Sequence, residues 1–252
     1  MKNSFRIRLA EQVIEIYSDG QYMKSMCKKY LTEGGDPAFS VDVNQYDIDF
    51  EIDKHLERNQ TAAIRAGRME VFESLAVYRK IAEAMIDYDT LLFHGSAIAV
   101  DGICYMFCAE SGTGKSTHTR LWREYFGDRA VMINDDKPLV QIRDEVRIFG
   151  TPWSGKHHLD KNDSAPLKAV VFLHRGETNR IEPISREKAL PELLRYSYHS
   201  NDPVRLQRSI GLLVRLMDTV SLYSLHCNME PEAAQICYNG INNINKDSDC
   251  DE

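Results

Sequence analysis

The chain has 252 residues, 43% hydrophobic and 27% charged, enough to bury one substantial core or one core with a small appended lobe. A formal net charge of -7 argues against a nucleic-acid partner, which would require a surplus of Lys and Arg, and no basic run reverses that balance. No run of about 18 apolar residues occurs, so no membrane span is expected.

The basic stretch Met1–Arg8 lacks the apolar core of a signal peptide. The six cysteines (27, 104, 108, 227, 237 and 250) include no CxxC pair, and a reducing cytoplasmic location is expected. Phe5–Ala10 and Val13–Tyr17 have partial period-two alternation and predict half-buried strands. Val41–Val43 and Tyr46–Ile52 alternate more cleanly and are expected as further strands, with Glu33–Pro37 as a turn between the pairs. Residues 1–60 are thus expected as a small antiparallel β-rich lobe packed on the rest, its alternating acids forming a solvated sheet face. Residues 61–245 form the main domain, and 246–252 a disordered tail.

Over 69–87, Phe72, Leu75, Tyr78, Ala82 and Met85 fall at helical spacing. Leu91–Val100 predicts a buried strand, Asp101-Gly102 a two-residue hairpin turn, and Ile103–Cys108 the returning strand. Cys104 and Cys108 share one face of that strand and are expected as buried small hydrophobes. A helix at 115–126 follows, with Leu121, Trp122, Tyr125 and Phe126 on its apolar side and Arg120 and Arg123 solvated. Ala130–Ile133 is a short strand ending at Asn134-Asp135-Asp136. Hairpin strands are expected at 138–142 and 146–149, then a loop through Thr151–Lys156 and a strand at 167–173, onto which Arg180–Glu182 pairs back. Asp202 caps a helix with Pro203 in its first position and Leu206, Ile210, Leu213 and Met217 as its buried stripe. A strand at 219–226 and a helix at 231–239 complete the chain.

The segment Ala109-Glu110-Ser111-Gly112-Thr113-Gly114-Lys115-Ser116, with Thr117 after it, stands between an apolar strand and an amphipathic helix. Phosphate binding needs several backbone donors converging where side chains stay out of the way. Gly112 and Gly114 allow that wrap, and the helix start adds its positive end. Lys115 supplies a charge to the β- and γ-phosphates and Ser116 a hydroxyl to magnesium, so ATP or another nucleoside triphosphate with Mg2+ is the expected ligand. Ala109 stands where such loops normally begin with Gly.

Transfer also needs acids for the metal and for the attacking hydroxyl. Asp135 and Asp136 lie 20 and 21 residues past Lys115, and adjacent carboxylates on an extended chain point to different sides. They divide the metal and base roles, or they are a polar turn capping a strand. His94, at the end of the apolar strand segment that enters the phosphate-loop hairpin, is a structural residue or a site candidate. Lys156 is a candidate for the substrate side of the site or a residue of a solvated loop, and Arg175 stabilises transferred charge or forms a surface ion pair. His157-His158 has no third ligand at zinc spacing.

His94-Gly95-Ser96, the Asp101-Gly102 hairpin, Ser111–Ser116 and Asn134-Asp135-Asp136, in this order, resemble the catalytic domain of HPr kinase/phosphorylase, whose fold is shared with ATP-dependent phosphoenolpyruvate carboxykinase. The resemblance covers roughly 91–140. It implies an α/β P-loop domain with a mixed sheet and a kinase that phosphorylates a serine hydroxyl. By carry-over, Lys115 and Ser116 hold phosphate and magnesium, Asp135 or Asp136 is base and metal ligand, and His94 lies near the γ-phosphate. No separate N-terminal domain of the size that family carries is expected from this sequence, and the family's following Gly-rich segment has no match; the nearest run is Leu173–Glu177. The chain is therefore more similar to small stand-alone HPr-kinase-like proteins, and the expected acceptor is a hydroxyl on a peptide, protein or small molecule. A carboxykinase-like enzyme and a non-catalytic nucleotide sensor are the alternatives.

Overall fold

The computed structural model describes residues 3–18, 20–57, 62–65 and 67–247, and the chain divides into two compact units, Met1–Tyr88 and Asp89–Glu252. In the first unit, β1 (Asn3–Leu9) and β2 (Gln12–Ser18) form an antiparallel hairpin, and β3 (Phe39–Asp42) pairs parallel to β2. The unit also carries α1 (Gln21–Met26), α2 (Gln45–Glu57), α3 (Ala62–Arg65) and α4 (Met69–Met85). It therefore has more residues in helices than in strands, and its sheet is mixed.

The strand expected at Tyr46–Ile52 is α2. Asn44 and Asp47 cap its start reciprocally: Asn44 Oδ1 accepts from the Asp47 N–H and Asp47 Oδ2 from the Asn44 N–H, each at 3.1 Å. Asp47 and Glu51, one turn apart, are buried against α4. Arg79 Nε lies 2.7 Å from Glu51 Oε1, and Lys80 Nζ lies 2.7 Å from Asp47 Oδ2. Of the acids expected on a solvated sheet face, Asp47 and Glu51 are thus the paired face of a helix, while Asp42, on β3, and Asp49 are exposed.

The second unit runs β4 (Thr90–Leu92), β5 (Ser96–Val100), β6 (Ile103–Cys108), α5 (Lys115–Phe126), β7 (Ala130–Asn134), β8 (Leu139–Ile142) and β9 (Val146–Phe149). It continues with β10 (Ser164–Arg175), β11 (Arg180–Pro183), α6 (Arg186–Tyr196), α7 (Pro203–Thr219), β12 (Ser221–Cys227) and α8 (Glu232–Asp247). The nine strands form one mixed sheet in the order β4-β8-β9-β10-β6-β5-β7, with β12 on β10 and β11 on β12. The long strand β10 joins its two parts: Ser164–Pro166 pair antiparallel with β9, and the residues from Leu167 onward run parallel to β6 and β12.

Trp122 of α5 is fully buried among Tyr105, Phe107, Phe126 and Tyr238, and its cluster takes in Ala234 and Cys237 of α8, so α5 and α8 cover one face of the sheet. On the other face, Phe172 stacks on Tyr196 of α6. Cys104 and Cys108 are buried and unbridged, as expected, and burial pushes the Cys108 thiol up to about 12.

Several expectations are corrected in this unit. The strand expected over Leu91–Val100 breaks at Phe93–Gly95, where the His94 N–H donates to Tyr196 O at 2.7 Å and the Gly95 N–H to Asp136 O at 3.0 Å. The β11 strand pairs with β12, not β10, because both edges of the C-terminal part of β10 are taken. The buried stripe of α7 is Ser209, Leu212, Leu213 and Leu216, rotated from the expected one so that Ile210 faces out. Tyr125 is likewise exposed on α5. Helix α6 has no counterpart in the sequence-based elements, because Pro191 interrupts its run. Helix α8 continues through Lys246 and Asp247, expected to be tail; the rest of the expected tail, 248–252, lies outside the described residues. No helix among the described residues is long and apolar enough to cross a membrane.

Candidate active site

The chain leaves β6 at Cys108, wraps through 109–114 and enters α5 at Lys115. Gly112 and Gly114 have φ of +82° and +124°, and a Cβ built on either would meet no atom within 4 Å. The backbone conformation, not crowding, requires glycine at both places. The Thr113 N–H closes the loop onto Glu110 O at 3.1 Å, and the His118 N–H begins the helix on Gly114 O at 2.8 Å. The first turn of α5 presents N–H groups that lack helical acceptors, at the positive end of the helix. Lys115 folds back over the loop and donates from Nζ to Ala109 O at 2.7 Å. Burial lowers its pKa, while the nearby Cys108 and Asp136 act in the opposite direction.

Two long-range contacts brace the loop from outside. Arg175 Nη2 donates to Gly112 O at 2.7 Å, and Arg195 Nη1 lies 3.4 Å from Glu110 Oε1. Arg175 is thereby placed at the flank of the loop, away from the acids.

The acids are set by Asn134, the last residue of β7. Its buried amide donates to Thr151 O (3.0 Å) and Thr151 Oγ1 (3.2 Å), and its Oδ1 accepts from the N–H groups of Asp136 (2.8 Å) and Lys137 (2.6 Å). This turn splits the two carboxylates. Asp135 Oδ1 accepts from the Gly155 N–H at 2.6 Å, and the Asp135 carbonyl accepts from Ser96 Oγ at 2.9 Å. Asp136 Oδ1 lies 3.2 Å from His94 Nε2, with Lys137 Nζ 3.8 Å from Oδ2. Burial would raise the Asp136 carboxyl, but the hydrogen bond from His94 and the charges of Lys137, His94 and Lys115 outweigh it and hold it below the ordinary carboxylate range.

One cavity of about 510 Å³ is lined by His94, Ser111, Gly112, Gly114, Lys115, Ser116, Thr117, Asp135, Asp136 and Lys156, together with Gly155. The fold therefore gathers most of the residues named from the sequence. Glu110, Thr113 and Arg175 shape the loop from outside that cavity. A second cavity of about 480 Å³ opens on the other side of the loop, among Gly112, Gly114, His118, Leu173, Arg175, Cys227 and Met229. A third, of about 460 Å³, extends along α5 from Ser116 and Asp135 to Arg120 and Arg123.

Three residues of this arrangement have parts not expected from the sequence, although Asn134 stands in the Asn134-Asp135-Asp136 motif and Gly155 in the loop before Lys156. Asn134 carries the turn, and its signal is an amide ending an apolar strand directly before two acids. Gly155 lets its loop approach Asp135, since a Cβ there would lie 3.0 Å from Asp135 Oδ2. Arg123, expected to be solvated, is half-buried, and its Nε is buried without a hydrogen-bond partner.

Among the described residues, no group of three or more His, Cys, Asp or Glu side chains is placed to hold a metal ion. The Ser116 hydroxyl and the acids fit a hard oxygen-seeking ion of the magnesium kind, which keeps most of its ligands as water and phosphate oxygens.

No protein-family model matches the chain, and none of the curated proteins matches it. Among solved structures it is similar to the Hpr(Ser) kinase/phosphatase from Coxiella burnetii, with 9% sequence identity, a TM-score of 0.35, and coverage of 61% of this chain and 98% of that one.

Proposed function

We propose that the chain is an ATP- and magnesium-dependent phosphotransferase of the HPr-kinase-like type that phosphorylates a hydroxyl on a peptide, protein or small molecule. The observation that carries this reading is the meeting of the Gly112–Lys115 loop with Asp135 and the His94–Asp136 pair around one cavity. A loop that only bound phosphate would need no pair of carboxylates facing it.

The loop amides and Lys115 hold the β- and γ-phosphates, and the neighbouring cavity with its Leu173 and Met229 wall takes the nucleoside. Ser116 and Asp136 would hold the magnesium ion. The depressed pKa of Asp136 keeps it anionic at neutral pH, as a metal ligand requires, and His94 fixes its orientation. Bound magnesium would neutralise charge on the phosphate oxygens. Asp135 lines both the phosphate cavity and the one along α5, which makes it the base for an incoming hydroxyl. Asp135 takes the hydroxyl proton as that oxygen bonds to phosphorus and the β–γ bridge breaks, leaving nucleoside diphosphate. Lys115 stabilises the charge on the group in transit.

Incubation with γ-labelled ATP, magnesium and hydroxyl acceptors tests this. Lys115→Ala is expected to weaken triphosphate binding by about a hundredfold, the loss of a charge-assisted contact worth about 1.5–3 kcal/mol. Asp135→Asn is expected to keep nucleotide affinity and lose about 10²–10⁴ in kcat. Normal turnover by Lys115→Ala would refute the site. Binding with neither transfer nor hydrolysis, indifferent to Asp135→Asn and Asp136→Asn, would make the chain a nucleotide sensor.

A further inference from the structure

The cavity along α5 shares Ser116, Asp135 and Lys156 with the phosphate cavity and continues past them to Arg120 and Arg123. Ser116, Arg120 and Arg123 stand at i, i+4 and i+7, on one helix face, and long helical side chains lean back toward the N-terminus. Arg123 therefore leans along this face toward its N-terminal end, and it lines the same cavity as Asp135. In a chain of net charge -7, this cavity concentrates three cations of Lys and Arg against a single carboxylate.

The three cations are not equivalent. Arg120 is committed to Glu124 at 2.6 Å. Among the described residues, Arg123 and Lys156 have no carboxylate partner, and Asp135 spends one oxygen on the Gly155 N–H. The Nε of Arg123 is buried without a partner, so the guanidinium that lines the cavity is committed to no protein group, and its outer nitrogens are left for a ligand. The cavity's size suits a small molecule better than a chain segment.

We infer that the acceptor is a small hydroxylated anion, its hydroxyl at Asp135 and its carboxylate or phosphate held by Arg123 and Lys156. The inference rests on the phosphotransferase reading for the role of Asp135, while the anion contact at Arg123 is measurable without turnover. A neutral acceptor would leave the charge of Arg123 without a counter-charge, and an anionic one gains orientation from a planar guanidinium fork.

The test is calorimetric titration with D-glycerate, glycerol 3-phosphate and glycerol, each on the wild-type chain and on Lys115→Ala, which removes the charge of the phosphate loop. The two acids separate a carboxylate from a phosphate requirement. Both or one are expected to bind and glycerol is not, with affinity that survives Lys115→Ala. Arg123→Gln is expected to weaken the anion by about tenfold or more, with only partial recovery in Arg123→Lys, which restores the charge without the fork, and the exposed Lys156→Gln to weaken it without any folding cost. Anions that bind no better than glycerol, or whose binding vanishes with Lys115 and ignores Arg123→Gln, overturn the inference. A parallel assay of γ-phosphoryl transfer separates the two readings. Anion binding at Arg123 without transfer upholds the anion site and fails the phosphotransferase. Transfer to glycerol as efficient as to the anions upholds the phosphotransferase and overturns the inference.

Discussion

At the scale of single residues, the site combines polar groups with full sets of partners and buried polar atoms with none, Arg123 Nε and His118 Nδ1 among the described residues. Asn134 uses its amide as both donor and acceptor, and this fixes the directions of Asp135 and Asp136 before any ligand arrives. His118 is the contrast. Its Nε2 accepts from Trp122 Nε1–H at 2.9 Å, its ring meets Phe107 edge-on, and its Nδ1 has no partner. Burial pushes its pKa down to about 3. In the unfolded chain the imidazole titrates near 6.5, so between about 6.5 and 3 the unfolded state binds a proton that the folded state does not. Stability therefore falls as pH is lowered through that window, by up to about 1.4 kcal/mol per unit from this residue. The lowered carboxyl of Asp136 adds a further loss only as pH falls below the ordinary carboxylate value. His118→Gln keeps an acceptor for Trp122 and removes the titration. Urea unfolding at pH 6.5, 5.5 and 4.5 is expected to show a slope shallower by about 1 kcal/mol per unit in the variant; equal slopes would show that the imidazole is not buried neutral.

At the scale of elements, what was legible in the sequence is what local chemistry decides. Asp101 and Gly102 both adopt positive φ (51° and 81°) and join Val100 to Ile103 in a two-residue turn, so the hairpin that delivers the chain to the phosphate loop follows from two residues. The loop glycines and the Asp135-Asp136 turn were visible for the same reason. What stayed hidden depends on distant partners. Nothing within Tyr46–Ile52 announces that Asp47 and Glu51 will meet Arg79 and Lys80 on another helix. The bend at His94-Gly95 exists because their N–H groups find Tyr196 and Asp136 carbonyls, and a Cβ at Gly95 would lie 3.1 Å from Phe107 O. Arg123 joined the site only once the loop carrying Lys156 lay beside its helix face. The start of α7 belongs to the legible class: Asp202 Oδ1 accepts from the Arg205 N–H at 2.9 Å, with Pro203 in the first turn. Asp202→Ala is expected to cost about 1 kcal/mol in urea unfolding, and Asp202→Asn, which can still accept, markedly less. Equal costs would assign the effect to charge and not to the cap.

At the scale of the whole molecule, the proposed function requires an acidic chain to attract a highly anionic ligand. With a net charge of -7, long-range electrostatics repel a triphosphate, and only local cations and a shared metal can reverse that. The local cations are few: Lys115 in the loop, with Lys156 at the edge of the same cavity. Asp135 and Asp136 line it as well and would repel the phosphates unless a divalent ion stood between them. Magnesium is therefore expected to control affinity and not only turnover. A ligand that binds only the folded state at 100 times its Kd stabilises it by about 2.7 kcal/mol, which for a unit of this size is about 5–10 °C in Tm. Scanning calorimetry with ATP and magnesium should give a shift of that order, ATP with a chelator a clearly smaller one, and Lys115→Ala almost none. All the site residues lie within Asp89–Glu252, so if the two units melt separately, only one transition should move. Equal shifts with and without magnesium would mean that the acids do not share a metal with the phosphates, and Asp136 would lose its assigned role while the loop kept its own.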